Sequence, residues 1–274
     1  MCLLLGTLLC AAALGGCATY ADRLNEVRTA FYAGDLAGAE AAIQKHLKRG
    51  GREADVLELE HAIVQLCDGR PRDAERTLRE VRDRFDYLQQ KDLGESALSM
   101  VTDDKTRAYA GEDYEKVLVR AFLALANLMH DGGDAGAYGL QVTRKQEEII
   151  QNGRDESGEN PKLAYKRVAL GAYIHGALQE ESHLNYDDAA RSWARVCSWE
   201  PDFPYARRDL DRAAHGHHSR PGHGVLYVFT LVGRGPYKEE AIELPTTVSL
   251  LIADRIISHN PEHTLPPNIA PIKV

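Results

Sequence analysis

Four histidines near the end of the chain form the cluster whose chemistry best suits a metal ion. They are His215, His217, His218 and His223. Neutral imidazole is a good ligand for Zn²⁺ and Cu²⁺. However, the glycines and proline around these residues predict a linker rather than a helix that would hold the rings in place, and no adjacent carboxylate orients them. We therefore expect no cofactor, and only adventitious binding of nickel or zinc.

Carboxylates are the second group that could do chemistry, as general acids and bases. Glu112, Asp113 and Glu115 lie close together in the sequence. Such carboxylates on helical or loop surfaces are usually solvated rather than catalytic. The chain also contains no G-x-S-x-G, H-E-x-x-H, paired C-x-x-C or P-loop motif. We therefore expect a protein that is not an enzyme, with these three acids as the candidates if it is one.

Composition bounds the class of protein and its partners. Hydrophobic residues make up 44% and charged residues 27% of the 274 residues, which is typical of a globular protein. The formal net charge of −8 argues against nucleic acid as a partner, because such binding depends on Lys and Arg neutralising phosphates. Many Ala, Leu and charged residues with only 7% aromatic residues favour a mainly helical fold.

The first residues have the pattern of an export signal. Residues 1–14 carry no charge and are too few to span a bilayer as a helix, and they are followed by Gly15-Gly16-Cys17. This run resembles the lipobox of bacterial lipoproteins. The resemblance implies that residues 1–16 are a signal peptide and that the thiol of Cys17 is lipidated. Ala18 after the cysteine favours the outer membrane, with the inner membrane left open.

A repeat of about 35 residues runs through the middle of the chain. A turn glycine is followed five residues later by Ala, then by larger residues nine and twelve positions after the turn. Such glycines suit a tight turn between two helices, and the small residue lets those helices approach closely. Four instances start at Gly34, Gly69, Gly132 and Leu184; they place Ala39, Ile43 and His46, then Ala74, Leu78 and Val81, then Ala137, Gln141 and Arg144, then Ala189, Trp193 and Val196.

This pattern resembles tetratricopeptide repeats, whose period is about 34 residues. The resemblance implies stacked antiparallel helical hairpins over residues 17–212, in a solenoid. A generic stack of helical hairpins is the alternative. Insertions separate the later repeats. Residues 98–111 are too polar and irregular for a packed helix, and a strong helical pattern begins at Glu112. Residues 152–161 are predicted to form a loop that ends in a helix start.

The segment Tyr109-Ala110-Gly111-Glu112-Asp113-Tyr114-Glu115, with residues 235–240, resembles an uncharacterised family of bacterial lipoproteins that carry helical repeats and a β-rich tail. No catalytic residue is implied by that resemblance. Residues 213–224 are predicted to be a His- and Gly-rich linker. Residues 225–274 are predicted to be a small β-rich segment with strands at 225–232 and 239–244, and a truncated C-terminus is expected from the resemblance, because members of that family are usually longer. Cys67 and Cys197 are expected to be buried free thiols, with a disulfide as the alternative.

Together these features predict a lipid-anchored, periplasm-facing scaffold that binds a protein or peptide partner in envelope assembly or regulation. The oligomeric state is left open. The alternatives are an envelope enzyme acting on peptidoglycan through Glu112, Asp113 and Glu115, or a metal- or sugar-binding lipoprotein. The residues expected to contact a partner are Tyr109, Glu112, Tyr114, Asn127, Tyr173 and His175.

Overall fold

The computed structural model describes residues 20–50, 54–95, 109–154, 158–215, 222–232, 242–243 and 272–273. This part of the chain is mainly helical, as predicted. Its helices are α1 Tyr20–Tyr32, α2 Leu36–Leu47, α3 Ala54–Cys67, α4 Pro71–Glu95, α5 Asp113–Leu128, α6 Ala135–Gln151, α7 Leu170–Glu181, α8 Tyr186–Trp199 and α9 Ala206–Ala214. Each helix packs against the next in chain order, and α5 also contacts α7.

Short turns join the helices into pairs, and glycines close three of these turns. Gly34, Gly69 and Gly132 have φ angles of 78°, 70° and 75°, which lie in the left-handed region that side chains disfavour. The N–H of Arg70, just after Gly69, donates to Gln65 O at 2.8 Å, as in a Schellman turn. His183 has a φ of 56° in the fourth turn. These turns therefore lie where the repeat places them.

The repeat positions of three pairs form the core between the helices. In each, the small residue and the two larger residues that follow are almost fully buried: Ala39, Ile43 and His46; Ala74, Leu78 and Val81; Ala189, Trp193 and Val196. The third instance is wrong by one residue. The turn before α6 contains an extra residue, so Tyr138 and Val142 are buried instead of Ala137 and Gln141.

Helices α6 and α7 approach closely where they cross. A Cβ atom added at Gly171 would lie 2.8 Å from the Gly139 carbonyl oxygen and 2.5 Å from Val142 Cβ. A Cβ atom at Gly139 would likewise meet Gly171 O at 2.8 Å. Only glycine permits this contact between two backbones. Gln146 on α6 fixes the segment that leads into α7. Its side-chain amide donates to the Val168 carbonyl oxygen and accepts from the Val168 N–H.

Of the first predicted insertion only residues 109–111 are described, and they lie outside helices. The second is described except for residues 155–157. The loop at 152–161 ends in a short 3-10 helix, Pro161–Ala164, rather than in the next α-helix, which begins at Leu170. Asn160 caps this turn by accepting from the Lys162 N–H at 3.0 Å. Among the helices just given, none is long and apolar enough to cross a bilayer.

The C-terminal part differs from the prediction. The chain divides into two compact units, Met1–Tyr227 and Val228–Val274. The strand predicted at 225–232 is wrong, since these residues form no hydrogen-bonded ladder, and a strand needs a partner. Strands β1 Ile242–Glu243 and β2 Ile272–Lys273 pair antiparallel. Most of the predicted β-rich tail lies outside the described residues.

The two cysteines among the described residues, Cys67 and Cys197, are free thiols. Cys197 on α8 is partly buried. Cys67 is exposed because it is the last residue of α3, so the prediction of a buried thiol is wrong there. Burial of its sulfur nevertheless raises the pKa of Cys67 above its ordinary value.

Candidate functional site

Three residues predicted to contact a partner lie at the start of α5. Glu112 is the N-cap residue, and it forms a reciprocal capping box with Glu115, whose carboxylate accepts from the Glu112 N–H at 2.8 Å. Tyr109 donates a short hydrogen bond to the same carboxylate, and its ring packs edge-on against Phe85 at 6.0 Å. Burial and the neighbouring Glu115 raise the pKa of Tyr109. Tyr114 follows in the first turn and is half-buried.

The acids of the enzyme hypothesis are engaged in this local structure. Glu115 serves the capping box, and Asp113 accepts from Lys162 Nζ at 2.6 Å. That ion pair joins α5 to the short 3-10 helix. These contacts give Glu115 and Asp113 a role in beginning α5 and in positioning the short 3-10 helix.

Asn127 is buried near the end of α5, with only 2% of its surface exposed. Its side-chain oxygen accepts from the Asp134 N–H at 2.9 Å, which ties the α5–α6 turn together. Its amide nitrogen donates to Glu75 at 3.2 Å. Asn127 thus connects the turn to α4 through hydrogen bonds inside the fold.

Glu75 on α4 is the centre of that buried cluster. It accepts from the Tyr138 hydroxyl at 2.8 Å and from Asn127, Arg79 contacts it, and His130 Nε2 lies 2.5 Å away. Burial alone would raise the pKa of Glu75, but these hydrogen bonds outweigh burial and lower it. The carboxylate is therefore held ionised inside the helical unit.

The remaining predicted contact residues lie on α7. His175 is almost fully buried, and its Nδ1 lies 2.9 Å from the Ser192 hydroxyl. Burial lowers the pKa of His175, which favours the neutral ring. Tyr173 is half-buried and packs edge-on against Trp193 at 4.8 Å. The predicted contact residues therefore form two separate groups, one near the ends of α5 and one on α7.

The histidine cluster has only two members among the described residues. His215 Nδ1 lies 2.7 Å from the Asp211 carbonyl oxygen just after α9, and His223 is exposed. His217 and His218 lie outside the described residues, as does Cys17. Within the described part of the chain, no three His, Cys, Asp or Glu side chains are arranged to hold a metal ion.

A row of polar contacts between α4 and α6 is the feature that sequence reasoning missed. Arg79 donates to the Tyr138 hydroxyl at 2.8 Å, and Gln89 donates to Glu148 at 2.9 Å. Between them lie the pairs Arg82 with Gln141 at 3.3 Å and Asp86 with Lys145 at 3.1 Å. The hydrogen-bonded partners are all 59 residues apart. A constant offset along both helices means that α4 and α6 run parallel, and we call this row the polar ladder.

Asp86 carries the strongest charge pairing of the polar ladder. Arg120 of α5 donates to both of its carboxylate oxygens, at 2.7 and 2.6 Å, and Lys145 approaches from α6. Arg120 and Lys145 are each only 6% exposed at the side chain. Burial would raise the pKa of Asp86, but the two cations outweigh burial and lower it. Asp86 therefore joins three helices through one ionised carboxylate.

The exposed surface differs between the first and second helices of the pairs. On α3, α5 and α7, every described side chain is buried or half-buried except Cys67 and Glu181 at the helix ends. On α4 and α6, exposed residues recur along the helix, including Arg76, Asp83, Tyr87, Leu140 and Arg144. These three first helices are thus enclosed by their neighbours, whereas α4 and α6 carry exposed surface.

No protein-family model, curated protein or solved structure matches this chain.

Proposed function

We propose that the protein is a lipid-anchored scaffold whose helical hairpins stack as in tetratricopeptide repeats and bind a protein or peptide partner at the bacterial envelope. The polar ladder is the observation that carries this proposal. Parallel second helices at a constant offset are expected when one hairpin follows another by translation, and such stacks present an extended surface for partners.

The partner is expected on the side of the first helices. These helices keep half-buried side chains along their length, as the inner face of a curved stack does. Of the predicted contact residues, Tyr114 on α5 and Tyr173 on α7 remain partly accessible. Asn127 and His175 are buried, so we assign them to shaping that face rather than to direct contact.

Site-specific photocrosslinking in cells tests the binding surface. A photoreactive phenylalanine analogue replaces Tyr114 on the first-helix side, and Tyr87 or Leu140 on the second helices in matched controls. We expect a discrete crosslinked protein from position 114 and none from positions 87 and 140. Equal crosslinking from all three positions, or crosslinks from the control positions alone, would refute the proposed surface.

The anchor needs a separate test, because Cys17 lies outside the described residues. The resemblance of residues 14–17 to a lipobox motivates it. Metabolic labelling with an alkyne fatty acid is expected to label the wild type and to leave Cys17→Ser unlabelled. Label retained in Cys17→Ser would end the proposal of a lipidated Cys17, whereas separation of inner and outer membranes would locate the anchored protein.

A further inference from the structure

One side chain from beyond the last helix enters the helical unit. Tyr227 stacks on Trp193 of α8, with ring centroids 6.1 Å apart and planes 18° apart. It also meets Tyr173 of α7 edge-on at 5.9 Å. Offset stacking and edge-on contacts are the arrangements that aromatic rings favour. The ring of Tyr227 thus completes an aromatic cluster whose other members come from α7 and α8.

The hydroxyl of Tyr227 is bound as specifically as its ring. It accepts from Arg212 Nη2 at 2.7 Å and donates to Glu180 Oε2 at 3.1 Å. Trp193 Nε1 donates to the same Glu180 oxygen at 3.3 Å. Arg212 and Glu180 are 11% and 7% exposed at their side chains, so the hydroxyl lies between two buried, paired charges.

The charges of Arg212 and Glu180 favour a neutral tyrosine hydroxyl between them. Burial alone would raise the pKa of Glu180, but the hydrogen bonds from Arg212, Tyr227 and Trp193 lower it. Burial and Glu180 raise the pKa of Tyr227, so its hydroxyl stays protonated and available to donate. A phenylalanine ring would fill the same space and leave both charged groups without this partner.

Tyr227 follows an exposed stretch of chain. Residues 222–226 are exposed, and Leu226 next to Tyr227 is 86% exposed. The chain before Tyr227 acts as a tether that keeps its side chain close to α7 and α8, and short tethers supply effective concentrations of roughly millimolar. The site also keeps an unused acceptor: Asp209, which pairs with Arg212 at 2.7 Å, has a buried Oδ2 with no hydrogen-bond partner among the described residues.

We propose that the cleft formed by Tyr173, Glu180, Trp193 and Arg212 is a recognition site for a tyrosine carried on an extended peptide, and that Tyr227 is its resident occupant. An extended segment of another protein that presents a tyrosine between aliphatic residues would compete for the same cleft. The cleft shares Tyr173 with the surface given in the proposed function, but the crosslinking test of that surface uses Tyr114, so either proposal can fail alone.

Peptide binding to the full chain tests this inference. The probe is a synthetic peptide of residues 222–229 with a solubilising lysine tail, and its control carries Phe in place of the tyrosine. Binding is followed by calorimetry and by the indole N–H signal of Trp193. We expect Tyr227→Ala to bind the tyrosine peptide at least about tenfold more tightly than the wild type, because the tethered competitor is gone. The Phe peptide should bind that variant roughly tenfold or more weakly than the tyrosine peptide.

A second variant covers the case in which Tyr227→Ala fails to fold, as judged by circular dichroism. Tyr227→Phe keeps the ring and loses the hydroxyl, so the peptide should bind it more tightly than the wild type. Absence of peptide binding to the folded variants would overturn the proposal. Equal affinity for the wild type and the variants would also overturn it, as would equal affinity for the two peptides.

Discussion

Replacement of Gly171 by alanine tests the packing of α6 on α7. The added methyl group would lie 2.5 Å from Val142 Cβ and 2.8 Å from the Gly139 carbonyl oxygen. Val142 can shift slightly, but the carbonyl oxygen belongs to a helix backbone and cannot turn away. The helices must therefore separate at the point where they are closest.

The expected change in the free energy of unfolding of Gly171→Ala follows from two opposing effects. Alanine is favoured over glycine in a helix by up to about 1 kcal/mol, whereas overpacking a well-packed core costs about 1–3 kcal/mol or more. Because a backbone oxygen is among the clashing atoms, we take the upper part of that range. Gly171→Ala is expected to lower the free energy of unfolding by about 2 kcal/mol.

Gly136 provides a matched control, since it is the second residue of α6 as Gly171 is of α7. A methyl group at Gly136 would meet only Leu178 Cδ1, at 3.8 Å, which is ordinary contact. Gly136→Ala should therefore leave stability unchanged or raise it by up to about 1 kcal/mol. Urea denaturation followed by circular dichroism measures both variants. Equal stability of the two variants would refute the close crossing of α6 and α7.

Further variants test the polar contacts and one turn, all by denaturation. Asp86→Asn should cost roughly 2–4 kcal/mol at pH 7, because it removes the carboxylate that pairs with buried Arg120 and leaves Lys145 paired with Glu148. Asp83→Asn, exposed on the same helix, should cost less than about 0.5 kcal/mol. The pKa of Asp86 is lower in the folded protein than its ordinary value of 3.8. The stability that the Asp86 carboxylate contributes is therefore present above pH 3.8 and is lost as the pH falls through the folded pKa. The difference in stability between the wild type and Asp86→Asn should shrink over that fall in pH. Asn127→Asp brings a second carboxylate beside Glu75, so its destabilisation should be largest at neutral pH and decrease on acidification; a pH-independent deficit would contradict this. His183→Gly relieves a positive φ and should raise stability by about 0.5–1 kcal/mol; a loss of stability would show that the His183 contact with Tyr186 outweighs the strain.

The parts of the fold that depend on local signals were predictable from the sequence. Glycine turns and buried repeat positions follow from backbone freedom and side-chain size, so Gly34, Ala39 and Trp193 lie where the repeat predicts. The error at α6 arose because one extra residue in a turn shifts the buried face, and a glycine pair at Gly132 leaves two possible starting points. The strand predicted at 225–232 failed because apolar content reveals burial tendency but not the presence of a partner strand.

The polar ladder and the Tyr227 site depend on contacts between distant parts of the chain. Polar residues at three- and four-residue spacing recur on α4 and again on α6, and that spacing was a usable signal. It could not show that the two rows face each other, because long charged side chains at such spacing usually face solvent. Tyr227 lay in a segment read as a strand, so its contact with α7, α8 and α9 had no local signature.

The parallel course of α4 and α6 is the central structural claim, and distances between paired spin labels test it most directly. Labels are placed in three double-cysteine variants on exposed positions, Arg76 with Ala137, Asp83 with Arg144, and Gln90 with Gln151, with the native cysteines replaced by serine. Parallel helices at a constant offset predict nearly equal distances for all three pairs. In antiparallel helices, the axial separation of the two labels would change by roughly 21 Å from one pair to the next, because each pair is seven residues further along both helices. Three similar distances would support the hairpin stack, and a steep progression across the three pairs would contradict it.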